Sequence, residues 1–413
     1  MSVEPLIWAG VALVVLAGSY NLGLFLLSRR RVPLRPDSGE QRLYVFLLAC
    51  LNEEKVLAES LARITALPAE NCVALVIDDG SDDRTAQIAR AADPRRVRLH
   101  QRRPPDARRG KGAALNDGVR RLRDSGLLGG RDPGDVIVCV VDADGRLDRH
   151  VIEAVDPFFN DPATGATQVG VRMYNRQAGL LARLQDMEFV VYGDIFQSAR
   201  RFIGSVGMGG NGQFMRLSAL DSLGREPWSD SLTEDLDLGI RLIARGWTNQ
   251  HCTTAAVSQQ AVLDLRRLIR QRSRWFQGHL QSANLVPLIL REVPGRAAMD
   301  LVYHLSSPVL ILLTSLLPLS FLVALISTAA ASVQAGRPLV SPMWLLGPYL
   351  LSFTAAWIYG FVYRRRERSL TVVRAVLLGH VFVIYGYIWF AAGWWGLWRA
   401  VTGKRTWLKT ART

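Results

Sequence analysis

Three apolar runs of this chain each end on acidic or amide side chains. Tyr44 to Leu51 leads into Asn52-Glu53-Glu54, Val73 to Ile77 into Asp78-Asp79-Gly80-Ser81, and Val136 to Val141 into Asp142-Ala143-Asp144. Val97 to Leu99 is a shorter run of the same kind. Continuous apolar character marks strands covered on both faces. The stretches after Glu53, Asp82, Lys111 and Arg149 carry helical periodicity, so strands and helices alternate. The predicted class is α/β, a mostly parallel, Rossmann-like sheet with helices on both sides. Ligands of such sheets bind beyond the carboxyl ends of the strands, where all three polar motifs fall. One site assembled from distant segments is therefore expected.

The ends of the chain are different in kind. Of 413 residues 49% are hydrophobic, and the excess is concentrated in a few long stretches. Leu6 to Leu27 is almost free of charge and long enough to cross a hydrocarbon core of ~30 Å. Glu4 precedes it and Arg29-Arg30-Arg31 follow, which suits an uncleaved anchor with its downstream side cytoplasmic better than a signal peptide. Residues 1–31 are thus expected to be a transmembrane anchor and 32–260 a cytoplasmic α/β domain. Residues 261–300 should form interfacial amphipathic helices, and 301–413 a membrane region of about three spans, Leu301 to Ser332, Met343 to Tyr363 and Leu370 to Trp398. The expected location is the inner (plasma) membrane, multi-pass. Three simple passes leave the C-terminus outside, whereas Lys404, Arg405, Lys409 and Arg412 favour the inside. A re-entrant turn near Gly386 or Gly393, or one interfacial helix among the passes, would resolve this.

Net charge is +14, with arginines at membrane flanks (Arg29 to Arg31, Arg364 to Arg366) and near the motifs (Arg102, Arg103, Arg108, Arg109). No basic stripe is interleaved with aromatics, so nucleic acid is not an expected partner; lipid headgroups and phosphates are. The four cysteines lack CxxC spacing and read as buried free thiols, and no histidine pair has zinc-ligand spacing.

Each motif has a chemical reading. Carboxylates at Asp78 and Asp79, with Asn52 and Glu53 on the same edge, can accept hydrogen bonds from a nucleobase imide or a ribose hydroxyl. Asp142 and Asp144, one residue apart at a strand end, can share a hard divalent cation that also bridges a diphosphate. Lys111, in Arg109-Gly110-Lys111-Gly112, can reach a phosphate; Pro105 stands where a P-loop has its first glycine. Gly207, Gly209 and Gly212 match GxGxxG without the surrounding βα unit. Gly209-Gly210-Asn211-Gly212 reads instead as a loop that lets backbone approach an acceptor. Thr233-Glu234-Asp235 opens a helix over Leu232 to Arg245, with Thr233 as its cap and Asp235, beside Glu234, as general base. A helix is predicted over Ala178 to Arg201 and a short strand over Trp247 to Thr253. The basic amphipathic stretch Val262 to Trp275 ends in Gln271-Arg272-Ser273-Arg274-Trp275, where Arg272 and Arg274 can pair with a diphosphate and Trp275 can stack on an acceptor sugar.

Taken in order, these motifs resemble the membrane-embedded family 2 glycosyltransferases, the group of cellulose, chitin, hyaluronan and poly-N-acetylglucosamine synthases and ceramide glucosyltransferases. The match runs from about Tyr44 to Trp275. The resemblance implies a GT-A fold, inversion at the anomeric carbon, a UDP-sugar donor such as UDP-GlcNAc or UDP-glucose, and Mg2+ or Mn2+. It places the nucleotide sugar on Asp78, Asp79, Asp142, Gln271, Arg272 and Arg274, where the readings above add Asn52, Glu53 and Lys111, and the metal on Asp142 and Asp144. It makes Asp235 the base and has the Gln271 to Trp275 motif clamp diphosphate and acceptor, with Trp275 at the acceptor; Gly210 and Asn211 are expected beside the acceptor from the loop reading above. The expected function is synthesis of a β-linked polysaccharide coupled to its secretion, with accessory secretion subunits as possible partners. The alternative is transfer of one sugar to a membrane lipid. Gly209 to Gly212 departs from the cysteine-containing acceptor loop of cellulose synthases, and the compact size looks like the poly-N-acetylglucosamine or hyaluronan type.

Overall fold

The computed structural model describes residues 4–31, 33–35, 41–316, 326–327, 330–334, 336 and 342–403. After the N-terminal helix α1 (Glu4–Ser28), strands β1 (Leu43–Cys50), β2 (Cys72–Asp78), β3 (Val97–Gln101) and β4 (Val136–Val140) form where the apolar runs place them. Helices α2 (Leu57–Thr65), α3 (Thr85–Ala91) and α4 (Lys111–Asp124) lie between them. β1 pairs in parallel with β2 and β4, and β3 pairs in parallel with β2. The two-residue period of the strand explains the runs. Tyr44, Phe46 and Leu48 enter one core with Val76 and Cys139, while Val45 and Leu47 enter the other with Ile77, Val138 and the α4 residues Leu115 and Val119.

The second half of the sheet is built differently. It holds β5 (Arg146–Leu147), α5 (Val151–Val155), β6 (Thr164–Met173), α6 (Leu180–Val191), a π-helical turn (Tyr192–Gln197), α7 (Ser198–Ile203), β7 (Gln213–Arg216), α8 (Leu217–Asp221), α9 (Glu234–Ala244) and β8 (Thr248–Gln259). The strand order is β3-β2-β1-β4-β7-β6-β8-β5. β7 is antiparallel to β4 and β6, β5 is antiparallel to β8, and β6 and β8 are parallel. The sheet is thus mixed, and the mostly parallel expectation holds only for its first half. Within this half β6 and β8 bury polar side chains, among them Gln168 and Asn249. Gln168 Nε2 donates to Asn211 O at 2.8 Å, and Asn249 Nδ2 to Val206 O at 3.1 Å and Gly239 O at 2.9 Å. These strands use side chains to hold loops, so they show no apolar run.

The remaining helices are α10 (Leu265–Ser282), α11 (Val286–Glu292), α12 (Gly295–Thr314), α13 (Pro342–Arg366) and α14 (Val372–Val401). Among the described residues, α12 and α14 are long and apolar enough to cross a membrane, and Val15–Ser28 is a shorter apolar helix. α14 runs unbroken through Gly386 and Gly393, so the re-entrant turn expected there does not form. Its glycines serve packing. A Cβ on Gly379 would lie 2.6 Å from Ala356 O and one on Gly360 2.3 Å from Ala375 O, so α13 and α14 meet backbone to backbone. The basic tail beyond residue 403 and part of the stretch expected to span from Leu301 lie outside the described residues.

Polar locks fasten the helical region to the α/β unit. Asp300 of α12 takes Arg200 Nε at 2.9 Å, Ser205 Oγ at 2.7 Å and Tyr20 OH of α1 at 2.5 Å. Arg366 forks onto Asp194 at 2.6 and 2.7 Å. All four cysteines are free and buried.

Candidate active site

A cavity of about 1690 Å3 lies beyond the carboxyl ends of β1, β2 and β4, walled by α4, α6, α9 and α10 and, further out, by α12 and α14. Glu53, Asp79, Lys111, Asp142, Gly210, Asn211, Glu234, Asp235, Gln271, Arg274 and Trp275 all line it. Asn52, Asp78, Asp144 and Arg272 do not.

On one wall, the turn after β2 separates two neighbouring aspartates. Asp78 is buried; its Oδ1 accepts from Ser81 N–H at 3.1 Å and its Oδ2 from Gln101 Nε2 at 3.0 Å, so it fastens the turn. Gly80 supplies the left-handed φ of 78°. Asp79 reaches the cavity and pairs with buried Arg102. Burial pushes its carboxyl up, and Arg102 draws it down in part. Asn52 acts at the same turn, its Oδ1 accepting from Asp82 N–H at 2.8 Å.

Lys111 is the centre of the site. Its Nζ lies 2.7 Å from Asp142 Oδ1, 2.8 Å from Gly210 O and 3.7 Å from Glu234 Oε1. Burial opposes the charge, but Asp142 and Glu234 outweigh it and hold the ammonium protonated well above its ordinary range. The helix it opens can sit this close because Gly112 has no side chain: a Cβ there would lie 2.3 Å from Ser229 O. Gly210 is packed less tightly: a Cβ there would come 3.2 Å from both Asp235 Oδ2 and Lys111 Nζ, so those side chains would have to give by a few tenths of an ångström. Asn211 carries Asp142, accepting from its N–H at 3.1 Å while donating to Gln259 Oε1 at 3.0 Å.

Glu234 and Asp235 open α9. Burial is the chief cause that lifts the Glu234 carboxyl to about 7, with Lys111 pulling it down and Asp235 pushing it up. Asp235 is raised too, by burial first, against Lys111 and the Leu236 N–H that its Oδ1 accepts at 2.9 Å. Thr233 occupies the capping position but makes no side-chain cap. It is pressed instead against α10, where a Cβ on Gly278 would lie 2.5 Å from Thr233 Cγ2. That glycine brings the two motif helices together.

Arg272 requires a correction. It does not face the cavity: its side chain is 1% exposed, with Nη2 2.6 Å from Glu188 Oε2. Position on an amphipathic helix put it with Arg274, yet the two point to different faces. Asp144 is likewise turned inward, its Oδ2 accepting from Gln260 N–H at 3.0 Å. As a place for a hard cation, Asp142 fits, offering a carboxylate to the cavity; Asp144 does not in this conformation. Among the described residues no group of three such ligands is assembled. Sequence reasoning missed Glu188, Tyr192, His279 and Trp389, which also line the cavity. The π-helical turn at Tyr192 is a feature often found at functional sites, and nothing in the local sequence announces it.

A GT-A-like mixed sheet carrying acids and a lysine at its strand ends, closed by a basic helix, defines the class of sugar-transferring folds. Residues 41–278 match the family described as "Glycosyltransferase like family 2", and the chain belongs to that family. It is 32% identical over 243 residues to the beta-monoglucosyldiacylglycerol synthase of Synechocystis sp., covering 57% of this chain and 47% of that protein. It is 27% identical over 253 residues to the poly-beta-1,6-N-acetyl-D-glucosamine synthase of Staphylococcus aureus, covering 59% of this chain and 57% of that protein. The chain spans about half the length of the curated relatives it matches. Its fold is similar to that of a mannosyltransferase from Pyrobaculum calidifontis solved with GDP-Man and Mn2+, with a TM-score of 0.58, 15% identity and coverage of 94% of this chain and 98% of that one.

Proposed function

We propose that this protein is an inverting hexosyltransferase that moves a sugar from UDP-glucose or UDP-GlcNAc to a hydroxyl of a membrane lipid. The observation that carries the reading is the meeting of Asp142, Lys111, Gly210 and Asp235 in one cavity that also displays Gln271, Arg274 and Trp275. Asp235 takes the proton of the acceptor hydroxyl as its oxygen bonds to the anomeric carbon. The bond from that carbon to the diphosphate breaks, and UDP departs with the electron pair. Lys111 and Arg274 stand where the diphosphate charge develops. Glu53 and Asp79 hold the nucleotide, while Asn52 and Asp78 shape the turn that presents them. A Mg2+ or Mn2+ bound with the donor at Asp142 would neutralise diphosphate charge.

The lipid acceptor is favoured by the outer wall, where Pro308, Ile311, Val383 and Phe390 line the cavity. Helices α1, α12, α13 and α14 would then cross the inner membrane, with the α/β domain cytoplasmic. The polysaccharide reading rests on the aromatic floor of Trp275, Tyr387 and Trp389, which suits stacked sugars, and it would call for secretion partners. Incubating the purified protein in lipid with labelled UDP-sugars and sizing the product separates the two. One lipid-linked sugar supports the first reading, a ladder or polymer supports the second, and failure of every UDP-sugar to turn over refutes both.

A further inference from the structure

A fully buried guanidinium is costly unless closely paired, so Arg272, kept off the cavity, needs a reason to be there. Its partner Glu188, on α6, is held by the last helix as well. Tyr385 OH donates to Glu188 Oε2 at 2.6 Å and Trp389 Nε1 to Oε1 at 2.9 Å. Three elements, α6, α10 and α14, thus close on one carboxylate. The guanidinium then lies against aromatic faces. Its carbon is 4.0 Å from the Trp275 ring centroid, 5.4 Å from that of Trp389 and 5.7 Å from that of Phe189. Phe189 meets Trp275 edge-on at 6.0 Å, and Trp389 stands 6.4 Å from it.

We propose that the Glu188–Arg272 pair is a positioning device for the acceptor: it backs the Trp275 indole, fixes the face that Trp275 turns to the cavity, and through Tyr385 and Trp389 ties that face to α14. The inference rests on Trp275 being the acceptor platform of the proposed reaction. The motif's two arginines then divide the work. Arg274 faces the donor's charge, and Arg272 orients the ring beneath the acceptor. A lysine cannot replace it, because the broad guanidinium covers the indole while one of its Nη atoms holds the carboxylate, two contacts that a compact ammonium cannot make together.

The test uses the full chain in lipid nanodiscs, with UDP-glucose and diacylglycerol, or cello-oligosaccharide if the product is a glycan. Initial rates against acceptor concentration are paired with UDP affinity by calorimetry. Arg272→Lys and Glu188→Gln should each raise the acceptor KM roughly five- to tenfold and leave UDP affinity within about twofold. Tyr385→Phe, which removes one hydrogen bond and little else, should raise it about twofold to threefold. An unchanged acceptor KM in Arg272→Lys and Glu188→Gln overturns the proposal. So does a loss of UDP affinity as large as the loss of acceptor use, which would put Arg272 on the donor. If Arg272→Lys fails to fold, Tyr385→Phe and Trp389→Phe decide by the same two constants. Trp275→Ala is the separate control: an unchanged acceptor KM there removes the platform itself, whatever the pair does.

Discussion

The two halves of the sheet spend their buried surface differently. In β1, β2 and β4 nearly every inward side chain is aliphatic or aromatic, and polar groups appear only where these strands end. From β5 to β8, Thr164, Thr167, Gln168, Asn249 and His251 are buried within the strands themselves. The first half is a rigid shelf that presents Asp79, Lys111 and Asp142. The second holds loops in place, and those loops carry Gly210 and Asn211 up to the base. In the proposed reaction, donor recognition would therefore rest on packing and acceptor geometry on hydrogen bonds.

That contrast can be broken at its strongest point first. Asp235→Asn should lower transfer by about 10^2- to 10^4-fold in steady-state kinetics while UDP affinity holds, since only the half that handles the acceptor is damaged. Next is the buried imidazole of the second half. Burial pushes His251 down to about 4, whereas an unfolded histidine titrates near 6.5. Between those values the unfolded chain binds a proton that the native one refuses, so stability is full above pH 6.5 and falls on acidification toward pH 4. The loss should reach about 3 kcal/mol, and His251→Gln should flatten that limb in denaturation series at several pH values. Third, Gly210→Ala places a methyl group 3.2 Å from Asp235 Oδ2 and Lys111 Nζ and should cost about tenfold in kcat with little change in melting temperature. The smallest effect belongs to the shelf. Asp78→Asn should cost about 1 kcal/mol of stability and change donor KM less than Asp79→Asn does, because only Asp79 reaches the cavity. Equal effects on donor KM would erase the distinction drawn between the two aspartates.

What could be read from the sequence follows the same division. The strands β1, β2 and β4 announce themselves because a strand covered on both faces must be apolar throughout. Thr164–Met173 does not, and of Thr248–Gln259 only the first part was read, as a strand over Trp247 to Thr253, because the buried amides Gln168 and Asn249 serve distant backbone groups that no local pattern records. That Asp79, Lys111, Asp142, Asp235, Arg274 and Trp275 would share one cavity was legible from their places at strand ends, at helix starts and on a basic helix. Arg272 was misplaced because burial on one helical face is decided by Glu188, far away in the chain. Glu188 and Tyr192 gave no signal, since α6 reads as an ordinary helix and the widened turn after it arises from packing.

Lys111 has a consequence for the empty enzyme. Without an internal counterion, Asp142, Glu234 and Asp235 would repel one another and drift apart until a substrate arrived. With the ammonium tethered among them, these acids are already held together in the resting pocket, and the like charges are reconciled during folding instead of at each turnover. In the proposed reaction the donor's phosphates would then compete with carboxylates for a cation that is already in place.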